Sequence, residues 1–142
     1  MISKTLVFTG GGTAGHVTPN LAMIDAARAR GWQVCYLGSA TGIEREMVEK
    51  AGVSFHVVTS GKLRRYFSWS NFIDPFRIIF GVFQAFFLLG RLQPDLVFSK
   101  GGFVAVPVVV SAWLLQIPVI SHESDFTPGL ANRFCYPFCR RI

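Results

Sequence analysis

A chain of 142 residues is one domain's worth of length, able to bury roughly two thirds of its unfolded surface and short for a complete two-domain enzyme. Hydrophobic residues make up 51% and charged residues 15%, with 14 Phe and 14 Gly, which excludes disorder and leaves more apolar surface than an ordinary soluble core absorbs. The net charge is +6, and residues 59–142, with 9 basic and 4 acidic side chains, carry +5 of it, which suits phosphates, an anionic membrane or nucleic acid as partners.

In chain order, residues 1–10 lack a cleavage-site pattern and read as a first strand (4–9) rather than a signal peptide. The strand runs into Gly10-Gly11-Gly12-Thr13-Ala14-Gly15-His16, after which Thr18 is placed to cap a helix with Pro19 at its first position and Gly31 beyond its end. A second strand (33–37) contains Cys35, and a short helix (43–51) closed by Gly52 leads to a third strand (54–58). A long apolar helix then precedes a fourth strand (96–99), which ends in Gly101-Gly102. A helix over 104–115 returns to a fifth strand (118–121), followed by His122-Glu123-Ser124-Asp125, a Pro128-Gly129 turn and a last helix through Cys139. The pattern predicts an α/β fold: a Rossmann-like parallel sheet flanked by helices, with the chain stopping where a sixth strand is expected. Cys35, Cys135 and Cys139 read as reduced thiols of a cytoplasmic protein, and with no His or acid beside the latter pair no metal site is expected.

Ligands of open parallel sheets bind beyond the carboxyl ends of the strands, and both Gly loops and the His122-Glu123 segment fall there. Gly10, Gly12 and Gly15 fit GxGxxG, whose backbone amides at a helix start can cradle a phosphate. A nicotinamide site also wants an acidic residue at the end of the second strand, where Tyr36-Leu37-Gly38-Ser39 offers none. His16 stands where a helix N-terminus favours the neutral, base-competent imidazole; a loop histidine bonded to backbone is the other reading. Glu123 is placed to bind sugar hydroxyls or orient an imidazole, or is an ordinary loop charge.

Between residues 61 and 92 the composition changes. Lys62, Arg64 and Arg65 are interleaved with Leu63, Tyr66, Phe67 and Trp69, a mixture suited to the headgroups of an anionic membrane. Asp74 and Pro75 resemble a cap and first position of a helix whose polar residues, Asp74, Arg77, Gln84 and Arg91, share one stripe with Gly81. Phe76, Ile79, Phe80, Phe83 and Phe87 are among its apolar remainder. The 13 residues between Arg77 and Arg91 are short of the ~20 that span a bilayer. Two readings stay open: a helix buried on both sides, or one with a face on the sheet and another in lipid. Nucleic acid is the poorer partner, because the basic residues are few and flanked by aliphatic bulk.

The run Gly10 to Pro19, the loop Lys100-Gly101-Gly102-Phe103-Val104 with Pro107, Ile117-Pro118, and His122-Glu123-Ser124-Asp125 with Pro128-Gly129-Leu130-Ala131-Asn132 together resemble the N-terminal domain of the MurG family. Its members are membrane-associated transferases that add N-acetylglucosamine from UDP-GlcNAc to lipid I, giving lipid II for peptidoglycan. The resemblance covers essentially the whole chain. It implies the N-terminal half of a GT-B glycosyltransferase, with residues 1–142 as the acceptor-binding, membrane-docking domain, a separate C-terminal donor domain, no metal and no cofactor. By resemblance His16 is the catalytic base, and Thr13, Ala14, Gly15 and Asp125 contact the UDP-GlcNAc donor. Gly11, Gly12, Gly101, Gly102 and Glu123 take the acceptor and its diphosphate. Lys62, Arg64, Arg65, Trp69, Phe76, Ile79, Phe80, Phe83 and Phe87 become the membrane-docking surface, on the cytoplasmic face of the bacterial membrane. The chain departs from the commoner family pattern where Ala14 replaces a Gly and Ser124-Asp125 a Gln-Asn pair. A non-catalytic adaptor that recruits a separately encoded donor domain is the alternative from another functional class.

Overall fold

Each short apolar run becomes a strand: Thr5–Thr9 (β1), Gln33–Gly38 (β2), Ser54–Val57 (β3), Leu96–Ser99 (β4) and Val119–Ser121 (β5). Between them lie Ala14–Ala29 (α1), Ile43–Lys50 (α2), Ser70–Leu92 (α3) and Ala105–Leu114 (α4), with a 3-10 turn at Tyr136–Phe138. The computed structural model describes residues 3–10, 14–40, 43–59, 70–122, 133 and 135–140, with backbone only for 14–17 and 70–75.

The sheet has the order β3-β2-β1-β4-β5 and all four neighbouring pairs are parallel. The chain therefore winds outward from β1 to β3, and α3 carries it back across to β4 on the other side of β1. That reversal between β1 and β4 is the topological switch point, where open α/β sheets leave a crevice for ligands. Successive strand side chains alternate between two cores. Leu6, Phe8, Tyr36 and Phe98 pack with Ile24 of α1 and Val48 of α2. Val7, Leu37 and Val97 pack on the opposite face with Ala85 and Leu89 of α3 and Val108, Val109 and Ala112 of α4.

Two helices start earlier than the sequence signals suggest. Thr18-Pro19 and Asp74-Pro75 each look like a cap and first position, yet α1 begins at Ala14 and α3 at Ser70, placing each proline sixth in its helix. A proline there leaves one early carbonyl, of Gly15 or Asn71, without its helical donor, a loss that falls near the end of the helix rather than in its interior. The consequence for α1 is that His16 lies within its first turn. Of the expected last helix, Arg133 and Cys135 are helical and Tyr136–Phe138 form the 3-10 turn, while its earlier part lies outside the described residues; the Arg140 N–H then donates to the Val119 carbonyl at 2.9 Å.

The orientation of α3 decides between the two readings of its apolar surface. Gly81, Ala85 and Leu89 form a buried row against α4 and the segment after β3. On the opposite side Phe76, Ile79, Phe80, Phe83 and Phe87 are 72%, 53%, 57%, 59% and 69% exposed. The helix is buried on one face only.

Close approach on the inner face depends on Gly81. A methyl group there would overlap the Thr59 carbonyl and come within 3.2 Å of the Pro107 ring. The Thr59 backbone cannot readily retreat, because its N–H donates to Gln84 Oε1, on the same helix, at 2.7 Å. Gly81→Ala gains about 1 kcal/mol of helix propensity, but overpacking against a fixed backbone costs about 1–3 kcal/mol. Where the clash is with a held carbonyl the upper part of that range applies, so the substitution is expected to lower the melting temperature by several degrees. A melting temperature that stays level or rises in thermal denaturation contradicts this packing.

Candidate functional site

The carboxyl ends of β1, β4 and β5 meet at the switch point. The Lys100 N–H donates to the Thr9 carbonyl at 3.0 Å and the His122 N–H to the Ser99 carbonyl at 2.8 Å, so each loop is pinned as it leaves its strand. Gly10 is wedged between loops: with φ at 149°, a Cβ there would lie 3.1 Å from Lys100 Cβ and 3.3 Å from the Gly101 carbonyl oxygen. Gly101 and Gly102 also hold positive φ, a conformation that turns backbone amides away from the strand direction. Gly10, where the first Gly loop begins, thus lies directly against the start of the second.

A buried polar layer supports this junction from below. Tyr36 is fully buried, and its hydroxyl donates to the Gly10 carbonyl at 2.5 Å. Asn20 of α1 donates from Nδ2 to the Thr9 carbonyl at 3.2 Å and to the Tyr36 hydroxyl at 3.4 Å. Burial, ahead of any neighbouring group, pushes the Tyr36 phenol well above its ordinary range, so it stays a proton donor. Thr9 Oγ1, Asn20 Oδ1 and Ser99 Oγ are buried without a hydrogen-bond partner. A buried polar atom left unpaired costs about 1–3 kcal/mol, and Thr9, Asn20 and Ser99 lie together at this end of the sheet.

The end of β2 differs from its sequence reading. No carboxylate stands in the strand, but α2 supplies one: Glu44, fully buried, accepts from the Ser39 N–H at 3.3 Å and from the Ser39 hydroxyl. It is inaccessible to a ribose and holds the β2–α2 turn instead. Lys100 is a second residue that sequence reasoning did not single out. It is 2% exposed, and its Nζ lies 2.8 Å from His122 Nδ1. The parallel register that pairs Ser99 with Ser121 puts the next residue of each strand side by side, a relation invisible without strand pairing.

Of the expected site residues, Gly101, Gly102 and the backbone of Ala14, Gly15 and His16 fall at this edge of the sheet. Gly11, Gly12, Thr13, Glu123 and Asp125 lie outside the described residues, as do Lys62, Arg64, Arg65 and Trp69 of the basic loop. Among the described residues no three of His, Cys, Asp or Glu converge as a metal site. Burial first, and the neighbouring Cys139 second, push the Cys135 thiol up to about 12, which keeps it protonated. No helix among the described residues is long and apolar enough to cross a membrane.

A model of the glycosyltransferase family 28 N-terminal domain matches residues 6–142. The UDP-N-acetylglucosamine--N-acetylmuramyl-(pentapeptide) pyrophosphoryl-undecaprenol N-acetylglucosamine transferase of Legionella pneumophila (strain Corby) is 60% identical over 141 residues, covering 99% of this chain and 39% of that protein. Its namesake from Clostridium kluyveri is 55% identical over 139 residues, covering 98% and 39%. Among solved structures, MurG of Acinetobacter baumannii superposes with a TM-score of 0.84 at 29% identity, covering 96% of this chain and 40% of that one. The chain therefore spans well under half the length of these relatives.

Proposed function

Since this chain belongs to the family of glycosyltransferase family 28 N-terminal domains, we propose that it is the acceptor-binding, membrane-docking half of a transferase moving N-acetylglucosamine from UDP-GlcNAc to lipid I. The observation that carries the reading is Gly10 seated against Lys100 and Gly101 at the switch point, which brings the start of one Gly loop to the other. Backbone amides of Gly11, Gly12, Gly101 and Gly102 suit the acceptor diphosphate, and Glu123 its sugar. Thr13, Ala14, Gly15 and Asp125 are assigned to the donor, most of whose contacts would belong to the second half of a GT-B cleft. In transfer, the acceptor hydroxyl oxygen forms a bond to the anomeric carbon as the bond from that carbon to UDP breaks. UDP leaves with the electron pair, and His16 takes the hydroxyl proton.

Docking follows from α3. An outward face of phenylalanines and Ile79, with Arg77 and Arg91 exposed on the same helix and the basic loop 62–69 before it, suits the headgroup layer of an anionic membrane. Association is peripheral, on the cytoplasmic face, where a nucleotide sugar meets a lipid-linked acceptor. The Legionella and Clostridium relatives carry their matching segment within a longer single chain, which favours half of an enzyme over a separate adaptor subunit.

The test is binding and turnover by the chain alone. A soluble lipid I analogue is expected to perturb the backbone amide resonances of Gly101 and Gly102, while UDP-GlcNAc plus the analogue yields no lipid II. Unperturbed amides contradict acceptor binding, and robust product contradicts the division between halves.

A further inference from the structure

A lysine in a protein interior is uncommon, and when present its ammonium needs a partner. Lys100 is 2% exposed, and neither ion pair among the described residues involves it. Its Nζ instead meets His122 Nδ1 at 2.8 Å. An ammonium has three donors and no acceptor, so in this contact the ring nitrogen must accept. That excludes the imidazolium, which would set two donors against each other, and it excludes the neutral tautomer protonated at Nδ1. The ring proton is left on Nε2.

The pair is held by backbone as well as by its own contact. Lys100 and His122 each leave a strand through a hydrogen bond to its neighbour, to Thr9 and Ser99, so neither Cα drifts relative to the other. The imidazole also leans on Phe98, with ring centroids 6.3 Å apart and planes inclined at 31°. While the buried end of the ring is fixed in this way, His122 as a residue is exposed. The Gly10 and Gly101 loops adjoin the Lys100 stem.

We infer that Lys100 is a positioning residue that locks His122 in the Nε2–H tautomer, making His122 a fixed hydrogen-bond donor to a phosphoryl oxygen beside Gly10, Gly101 and Gly102. With Nδ1 occupied and Nε2 already protonated, His122 has no free lone pair and cannot serve as a base. The adjacent ammonium adds positive potential at the same place, which favours an anionic oxygen over a neutral hydroxyl as the partner. The phosphoryl assignment rests on the acceptor-binding reading above; the tautomer does not.

The chain has three histidines, so a 15N-histidine spectrum is small enough to assign by substituting each in turn. His122 is expected to show an unprotonated Nδ1 and a protonated Nε2. Lys100→Met, which keeps the stem and removes the donor, should give a mixture of tautomers, with unchanged His16 and His56 signals reporting an intact fold. Lys100→Arg, which keeps a donor-only cation, should restore the Nε2–H preference. Inorganic pyrophosphate should shift the Nε2–H signal in the unsubstituted chain and bind roughly tenfold more weakly to the Met variant, the scale of one lost charge-assisted contact.

A protonated Nδ1 in the unsubstituted chain overturns the proposal, and that spectrum decides the matter even if the Met variant does not fold. So does a folded Met variant with an unaltered tautomer, or a pyrophosphate titration that leaves Nε2–H unmoved. None of these readouts requires glycosyl transfer. A chain with the predicted tautomer that ignores the lipid I analogue would discard the acceptor reading alone.

Discussion

Replacing His16 with alanine is expected to lower turnover by about a hundredfold to ten-thousandfold, the range over which a positioned general base contributes, once the chain is joined to its family's donor domain. The KM for UDP-GlcNAc should stay nearly constant, because an interaction made only as the acceptor hydroxyl is deprotonated changes kcat and leaves ground-state donor binding alone. His16 occupies the first turn of α1, directly after the Gly loop that Tyr36 and Asn20 anchor from below. The other histidine at this edge is committed elsewhere, since His122 Nδ1 faces the Lys100 ammonium. Steady-state kinetics with both substrates varied separates the possibilities. A histidine that merely bonds the loop backbone would lower the melting temperature on substitution while kcat held, and that outcome would remove His16 as the base.

Phe80→Asp combined with Phe83→Asp is expected to abolish membrane association without unfolding the chain. Each phenylalanine transferred from water into the acyl boundary contributes about 1.5–3 kcal/mol, so losing two weakens vesicle binding by a hundredfold or more. Replacing them with carboxylates adds repulsion from an anionic surface. The fold should barely notice, because both side chains are more than half exposed and the buried row of α3 is Gly81, Ala85 and Leu89. Surface substitutions of this kind change stability by about 0.5 kcal/mol, with a comparable helix-propensity penalty per Asp. Co-sedimentation with vesicles of phosphatidylglycerol and of phosphatidylcholine, alongside thermal denaturation, provides the check. Undiminished binding would place the docking surface elsewhere, and a collapsed melting temperature would mean that these rings support the core.

The sheet was legible because its strands are short apolar runs bounded by Gly or Pro and separated by helical patterns, a combination that only repeated parallel units satisfy. Helix starts were less so. Thr18-Pro19 and Asp74-Pro75 are sound local signals for a first turn, but each helix begins before them, with the proline at its sixth position, where a helix near its end still tolerates one. Periodicity placed Gly81 and Gln84 on one stripe of α3, yet it could not tell that this stripe borders the buried face, because sequence does not record which side meets α4. The Gly loops were visible as a motif. The side chains around them were not: Tyr36 reaches the Gly10 carbonyl from a neighbouring strand, Glu44 folds back from α2 onto the β2–α2 turn, and Lys100 meets His122 through a register that pairs residues far apart in the chain. Local pattern reveals the backbone of this site, and strand order reveals the side chains that hold it.

The small residues on the inner face of α3 have a further consequence. Gly81 and Ala85 supply closeness rather than bulk, and the phenylalanines at 76, 80, 83, 86 and 87 are exposed. On the docking reading proposed above, folding and surface attachment draw on separate sets of residues within a single helix. Variation of the outward positions among large apolar side chains would then retune how long the molecule dwells on a bilayer and how deeply it sits, while the inner row keeps the architecture unchanged.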